Sequence, residues 1–159
     1  MKIVRWGLLF SLLSVIGCSG GRLKNSSVKD TPKNREIYNL VHKYRLAMEN
    51  RDMQTLRRMV SRDYFENASS TDDSKDDYGF EKLVTKVIPL LRNNVKRLRY
   101  VVYVRKINFK GDSTASAEYE FLVRMQITEG GKSTWKVKND FNRLDFSKEK
   151  GEWKIVGGL

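Results

Sequence analysis

Three long alternating runs and a short fourth, joined by very short glycine-containing turns, constrain this chain more than anything else in it. Leu98–Phe109, Ala115–Thr128, Thr134–Phe146 and Trp153–Val156 carry the composition and period-two pattern of strands. The separators Lys110-Gly111-Asp112, Glu129-Gly130-Gly131-Lys132 and Lys148-Glu149-Lys150-Gly151 read as hairpin turns. Consecutive strands connected so closely pair antiparallel. The alternation is plainest in Ala115, Ala117, Tyr119, Phe121, Val123, Met125 and Ile127, interleaved with Ser116, Glu118, Glu120, Leu122, Arg124 and Gln126. One face is therefore core and the other mostly wet.

Strand length adds a constraint on shape. About 14 residues at roughly 3.3 Å each make a straight strand of about 46 Å. A domain of this size has a radius of gyration near 14 Å and a diameter of only about 36 Å. Straight strands would overhang, so these must curl. Leu98, Tyr100, Val102 and Val104 share one parity, whereas Ile107 and Phe109 have the other. A bulge near Arg105 accounts for the switch.

The first half of the chain has helical period instead. Ile37, Leu40, Val41, Tyr44, Ala47 and Met48 mark a helix over Glu36–Asn50. After a break at Asn50-Arg51-Asp52, a second helix runs Met53–Val60 with Asp52 as N-cap and Leu56, Met59 and Val60 inward. Asn67–Lys75 is a polar loop. A third helix, Tyr78–Asn93, follows with Phe80, Leu83, Val84, Val87 and Leu91 on its inner face and Pro89 kinking it near its end. The expected fold class is α+β, with three N-terminal helices packed in the concavity of a curled antiparallel sheet of four strands or more.

Ahead of this domain, Lys2 and Arg5 precede an apolar run from Trp6 to Ile16 and then Val15-Ile16-Gly17-Cys18. Basic residues followed by an apolar run is the layout of a secretory leader. The run is far shorter than the roughly 20 residues that cross a hydrocarbon core. The small residue directly before the chain's single cysteine resembles the lipobox of bacterial lipoproteins. That resemblance implies lipidation at Cys18, cleavage before it, and a cell-envelope, periplasm-facing location, on the outer membrane in a Gram-negative cell. The expected organisation is a leader over 1–17, a lipidated cysteine and flexible tether over 18–35, and one domain over 36–159. The tether expectation rests on Ser19–Asn34, rich in Ser, Gly, Asn and Lys with two scattered aliphatics.

Loss of residues 1–17 removes two of 31 basic residues and none of 19 acidic ones, leaving a net charge of +10. So positive a surface steers anionic partners. After export these are lipid headgroups and envelope polymers, and nucleic acid is disfavoured. Arg97, Arg99, Arg124, Lys136 and Lys138 are expected to form one basic patch on the outer, convex sheet surface, where Leu122 interrupts the charges.

Helices running through "MENRDMQTLRRMVSRDYFE" and the closing "NRLDFSKEKGEWKIVGGL" resemble the nuclear transport factor 2-like superfamily over residues 36–159. Leu56, Met59 and the Asp63-Tyr64-Phe65 segment carry the first likeness, and Leu144, Trp153 and Ile155 the second. The resemblance implies a cone-shaped fold shared by ketosteroid isomerases, polyketide cyclases and non-enzymatic binding domains, and with it a homodimer through the outer sheet face at Leu122. Function does not follow from such a fold.

An isomerase-like mechanism needs a carboxylate base inside the cone and phenol or acid donors for an oxyanion. Glu118 and Glu120 fall on the wet face, which leaves Asp63 with Tyr64 as the candidate pair. His42, the single histidine, lies among Lys43, Arg45 and Glu49 and reads as a surface residue. With one histidine and one lipidated cysteine there is no zinc-type ligand set. The acids before the third helix lack EF-hand spacing and answer to its dipole. No metal and no cofactor is expected. Aromatics on the strands, Tyr100, Tyr103, Tyr119, Phe121, Trp135 and Phe141, suit an apolar or amphipathic ligand in the concavity. Taken as the inward parity, Trp135, Val137 and Phe141 bring Asn139 and Arg143 with them, as a polar pair for an anionic head group.

Overall fold

The computed structural model describes residues 21–67 and 77–159. Cys18, with the leader ahead of it, lies outside the described residues, as does most of the polar loop expected at Asn67–Lys75. Helix α1 spans Pro32–Glu49 and α2 spans Met53–Met59. Thr31 caps α1 by accepting from Asn34 N, and Pro32 stands where its missing N–H costs nothing. Asp52 caps α2, its carboxylate accepting from Thr55 N at 3.0 Å. Two short strands, β1 (Phe65–Glu66) and β2 (Tyr78–Gly79), pair antiparallel.

The third helical stretch comprises α3 (Phe80–Lys82), a wide π turn (Leu83–Val87) and α4 (Ile88–Asn94). The wide turn stands just before Pro89, where a kink is expected, and Ile88 N–H there reaches back to Leu83 O. Proline offers no N–H, and its ring crowds the carbonyl four residues earlier. A π turn moves that carbonyl aside without breaking the helix.

Strands β3 (Val95–Lys110), β4 (Thr114–Glu129), β5 (Lys132–Glu149) and β6 (Glu152–Gly157) form one antiparallel sheet in chain order. The β4–β5 turn is made by Gly130 (φ 55°) and Gly131 (φ 78°), the two successive positive φ values that a tight hairpin needs. The register of β3 on β4 slips between Val104 and Lys106, which places the expected bulge at Arg105. A second slip surrounds Lys96. Inward residues are thereby Leu98, Tyr100, Val102 and Val104 before the bulge and Ile107 and Phe109 after it. The centre of the core is Ile37 and Val41 of α1, Leu83, Val104, Tyr119, Leu144, Phe146 and Ile155, all at most 2 % exposed.

The flexible tether expected up to residue 35 is corrected over residues 21–31. Leu23 and Val28 are buried at 9 % and 7 % exposure, and Leu23 N donates to Val28 O across a tight loop. Ser27 N donates to Val104 O at 3.0 Å, beside the bulge, so the loop covers part of the outer edge of β3. Tyr38 Oη donates to Lys24 O at 2.6 Å. Two aliphatics are too few to order an isolated segment. Set against a sheet edge and a helix already in place, they suffice.

Candidate functional site

Five tyrosines from five elements or their borders meet inside the cone. Tyr44 of α1 packs edge-on against Tyr100 of β3, their ring centroids 6.1 Å apart, and Phe121 lies 5.6 Å from Tyr100 and 6.3 Å from Tyr119. Tyr64 and Tyr78 face each other at 6.1 Å. Asn142 of β5 donates from Nδ2 to Tyr119 Oη at 3.2 Å and to Gly158 O at 3.0 Å. Tyr64 Oη donates to Glu66 Oε2 (2.8 Å), and the same carboxylate oxygen accepts Gly158 N (2.7 Å). Leu159 N donates to Tyr64 Oη and Leu159 O accepts from Tyr78 Oη. Gly158 and Leu159 therefore stand in the mouth, held through backbone and side-chain polar groups.

Among the described residues, an apolar cavity of about 50 Å³ inside the cone is lined by Tyr44, Met48, Leu56, Leu83, Val87, Ile88 and Leu159. Small-molecule sites occupy about 300–1,000 Å³. A larger cleft of about 620 Å³ lies outside the cone, between α1 and the β5–β6 turn, where Trp153 Nε1 donates to Glu36.

Burial pushes the phenols of Tyr44, Tyr64, Tyr78, Tyr100 and Tyr119 up from the ordinary tyrosine value of 10.0. They are neutral donors throughout the physiological range. Because the folded state keeps protons that an unfolded tyrosine sheds, their stabilising contribution is complete below about pH 10 and is lost as pH rises beyond it. We expect tyrosinate absorbance to appear together with loss of near-ultraviolet circular dichroism. Ionisation of most tyrosines at pH 10 with the fold intact would contradict this burial.

The Asp63–Tyr64 pair divides across the fold. Tyr64 is 2 % exposed and joins the network, but Asp63 is exposed in a surface cleft beside Arg62, Phe80 and Lys82. The carboxylate beside Tyr64 is Glu66. Alternation along an extended segment puts residues 64 and 66 on one face, a signal the sequence itself carries.

Of the strand aromatics, Tyr100, Tyr119 and Phe121 face inward, while Tyr103 pairs with Glu120 on the outer face, its ring 4.6 Å from the Arg105 guanidinium carbon. Trp135, Asn139, Phe141 and Arg143 also face outward, which corrects the inward parity expected for them. Leu144 and Phe146, fully buried, fix the inner parity of β5, and its register on β4 runs without a slip. Trp135 (47 %), Val137 (64 %) and Phe141 (69 %) are exposed.

The same parity divides the expected basic patch. Arg97, Arg99 and Arg124 lie on the convex face, where Arg99 stands opposite Arg124 and the Arg124 guanidinium carbon sits 4.7 Å from the Trp135 ring. Arg99 also bonds Glu49 of α1 at 3.0 Å. Lys136 and Lys138 pair with Met125 and Val123 and share their concave side. Lys138 Nζ is 2.9 Å from Asp140 and 5.7 Å from the Phe121 ring.

His42, expected on the surface, is half-buried and lies against Tyr38, the ring centroids 4.3 Å apart and the planes tilted by 49°, its Nε2 enclosed without a partner among the described residues. Burial, and then the Arg45 charge, lower its pKa.

No protein-family model matches this chain, and no curated protein matches it significantly. Solved structures do. A candidate scytalone dehydratase from Novosphingobium aromaticivorans superposes with a TM-score of 0.66 at 12 % identity, covering 79 % of this chain and 80 % of that one. A nuclear transport factor 2-like superfamily protein from Salmonella enterica gives 0.63 at 12 % identity over 78 % and 86 % of the two chains. The association domain of C. elegans CaMKII gives 0.61 at 15 % identity over 79 % and 92 %. At such identities the likeness is one of fold, and the fold serves an enzyme candidate and an association domain alike.

Proposed function

We propose that this chain, a nuclear transport factor 2-like fold, is a membrane-anchored, non-catalytic cell-envelope domain that binds an anionic envelope partner through its sheet. The filled cone carries this reading. Among the described residues the apolar cavity inside the cone is about 50 Å³, and Glu66 is engaged by Tyr64 and Gly158 rather than presented to a substrate. Exposed basic and aromatic groups suited to recognition stand on the outer sheet. There Arg97, Arg99 and Arg124 surround Val101 and Leu122, each 46 % exposed, and Trp135. Anchorage through Cys18 would hold this face near lipid headgroups and surface polymers, where local concentration replaces intrinsic affinity.

The test is retention of the lipid-free protein, carrying Cys18→Ser, on vesicles containing anionic lipid, and on wall polymer, at low and physiological salt. Reversal of Arg97 and Arg124 to Glu is expected to cut retention at least about thirtyfold at low salt, since two basic residues worth about 1 kcal/mol each near such a surface are lost and two repelling charges replace them. Salt itself should weaken the parent protein, since exposed charges are screened over about 8 Å at physiological ionic strength. Retention that ignores both salt and reversal would sink the anionic-partner reading. A small molecule recovered stoichiometrically from the purified protein would return the function to the cone.

A further inference from the structure

Strand β5 is long enough to outrun its neighbour. Its register with β6 begins only at Asp145, and Gly158 closes the edge at Arg143, the position a Cβ at 158 would strike. From Lys132 to Asn142 the side of β5 away from β4 has no strand partner among the described residues. Residues 132–141 are exposed on both faces. A row of unpaired backbone donors and acceptors this long is a template for another strand.

We propose that two copies of this chain join through this edge, β5 to β5, antiparallel about a two-fold axis at Asn139. The inference is independent of the anionic-partner reading above. A two-fold interface brings one surface against itself, so the sequence of the edge decides which registers are tolerable. With the axis at Asn139, Lys138 of each copy stands opposite Asp140 of the other and Val137 stands opposite Phe141. Lys136 meets Asn142, and Asn139 meets itself. Opposite charges and apolar side chains facing each other are the pairs that stabilise antiparallel strands, whereas like charges directly opposed destabilise them. Moving the axis one residue back opposes Lys138 to itself, and one residue forward opposes Asp140 to itself.

Lysines on a free edge ordinarily keep strands apart. Here the lysine two residues from an aspartate on the same face repels in the neighbouring registers and attracts in this one. The Lys138–Asp140 ion pair within one copy, 2.9 Å, becomes one half of a four-charge ring. Packing through the convex face instead would bring Arg97, Arg99 and Arg124 of both copies together. Glu120, the acid among them, is already held by Arg105.

Disulfide trapping in the full chain, in native membranes, tests the register. Asn139→Cys should give a disulfide dimer, because each cysteine meets its own copy at the axis, measured against the parent with Cys18 alone. Ser133→Cys lies six residues from the axis, so its copies are about 40 Å apart and should not cross-link. Adding Lys138→Glu to Asn139→Cys should lower the cross-linked fraction about tenfold, since two attractive pairs become repulsive. Adding Asp140→Lys as well should restore it. Both side chains are exposed and the double exchange preserves net charge, so folding and anion binding are left as they were. No dimer at position 139, equal dimer at 133, or failure of the double exchange to rescue would each overturn the edge pairing.

Discussion

Cys18→Ser is expected to abolish stable membrane attachment, the largest single effect proposed for this protein. A lipoprotein-type cysteine carries two or three acyl chains. One chain holds a protein only marginally, and each buried methylene adds about 0.8 kcal/mol, so the second chain converts transient contact into retention. Serine cannot accept the thioether-linked diacylglyceryl group. The variant should therefore be recovered in the soluble fraction, or accumulate as a precursor still carrying residues 1–17 and migrating more slowly. Carbonate washing of membranes followed by mass measurement distinguishes these results from wild type. A serine variant that fractionates and migrates like the parent would remove the anchor and with it the membrane-proximal part of the proposed function.

The contrast between β3 and β5 explains what could be read from sequence and what could not. On β3 the apolar parity changes between Val104 and Ile107, and the structure answers with a bulge at Arg105. On β5 it changes as well, from Trp135, Val137 and Phe141 to Leu144 and Phe146, and the strand runs on without a slip. A parity switch has two physical causes. Either the backbone rotates the side chains, or the strand leaves the core and the apolar residues change face. Helices α1 and α4 cover β3 along its length and force the first solution, whereas the free end of β5 permits the second. Alternation alone cannot separate them, because it reports only that one face differs from the other. The basic patch divides for the same reason, since Lys136 and Lys138 alternate with Trp135 and Val137 and so lie on the concave side.

Elements whose signals are local were read closely. Asp52 caps its helix, the glycine turns fall at the stated positions, and four strands run in chain order. Features made by distant segments were not. Leu23 and Val28 become core residues only against β3 and α1. The polar network in the mouth joins Tyr64, Glu66, Tyr78, Asn142 and Gly158, residues spread over most of the domain.

Gly158→Ala is expected to open that mouth. Gly158 has φ 91°, a conformation that side chains other than hydrogen rarely adopt, and a Cβ there would lie 1.8 Å from the carbonyl oxygen of Arg143. Arg143 belongs to a paired strand and does not yield, so residues 158 and 159 must leave their places. Their departure frees the Glu66 carboxylate from Gly158 N, Asn142 from Gly158 O, and both Tyr64 and Tyr78 from Leu159. Each hydrogen bond contributes on the order of 1 kcal/mol, but water can enter the mouth and satisfy the freed groups. The loss of stability is therefore expected at about 2–3 kcal/mol, read as a lower denaturant midpoint with little change in slope. The cavity beside Leu159 should enlarge at the same time, and an apolar fluorescent probe that ignores the parent should bind the variant. Unchanged stability together with unchanged probe binding would show that Gly158 and Leu159 do not stopper the cone. The filled interior, on which the non-catalytic reading rests, would then need another cause.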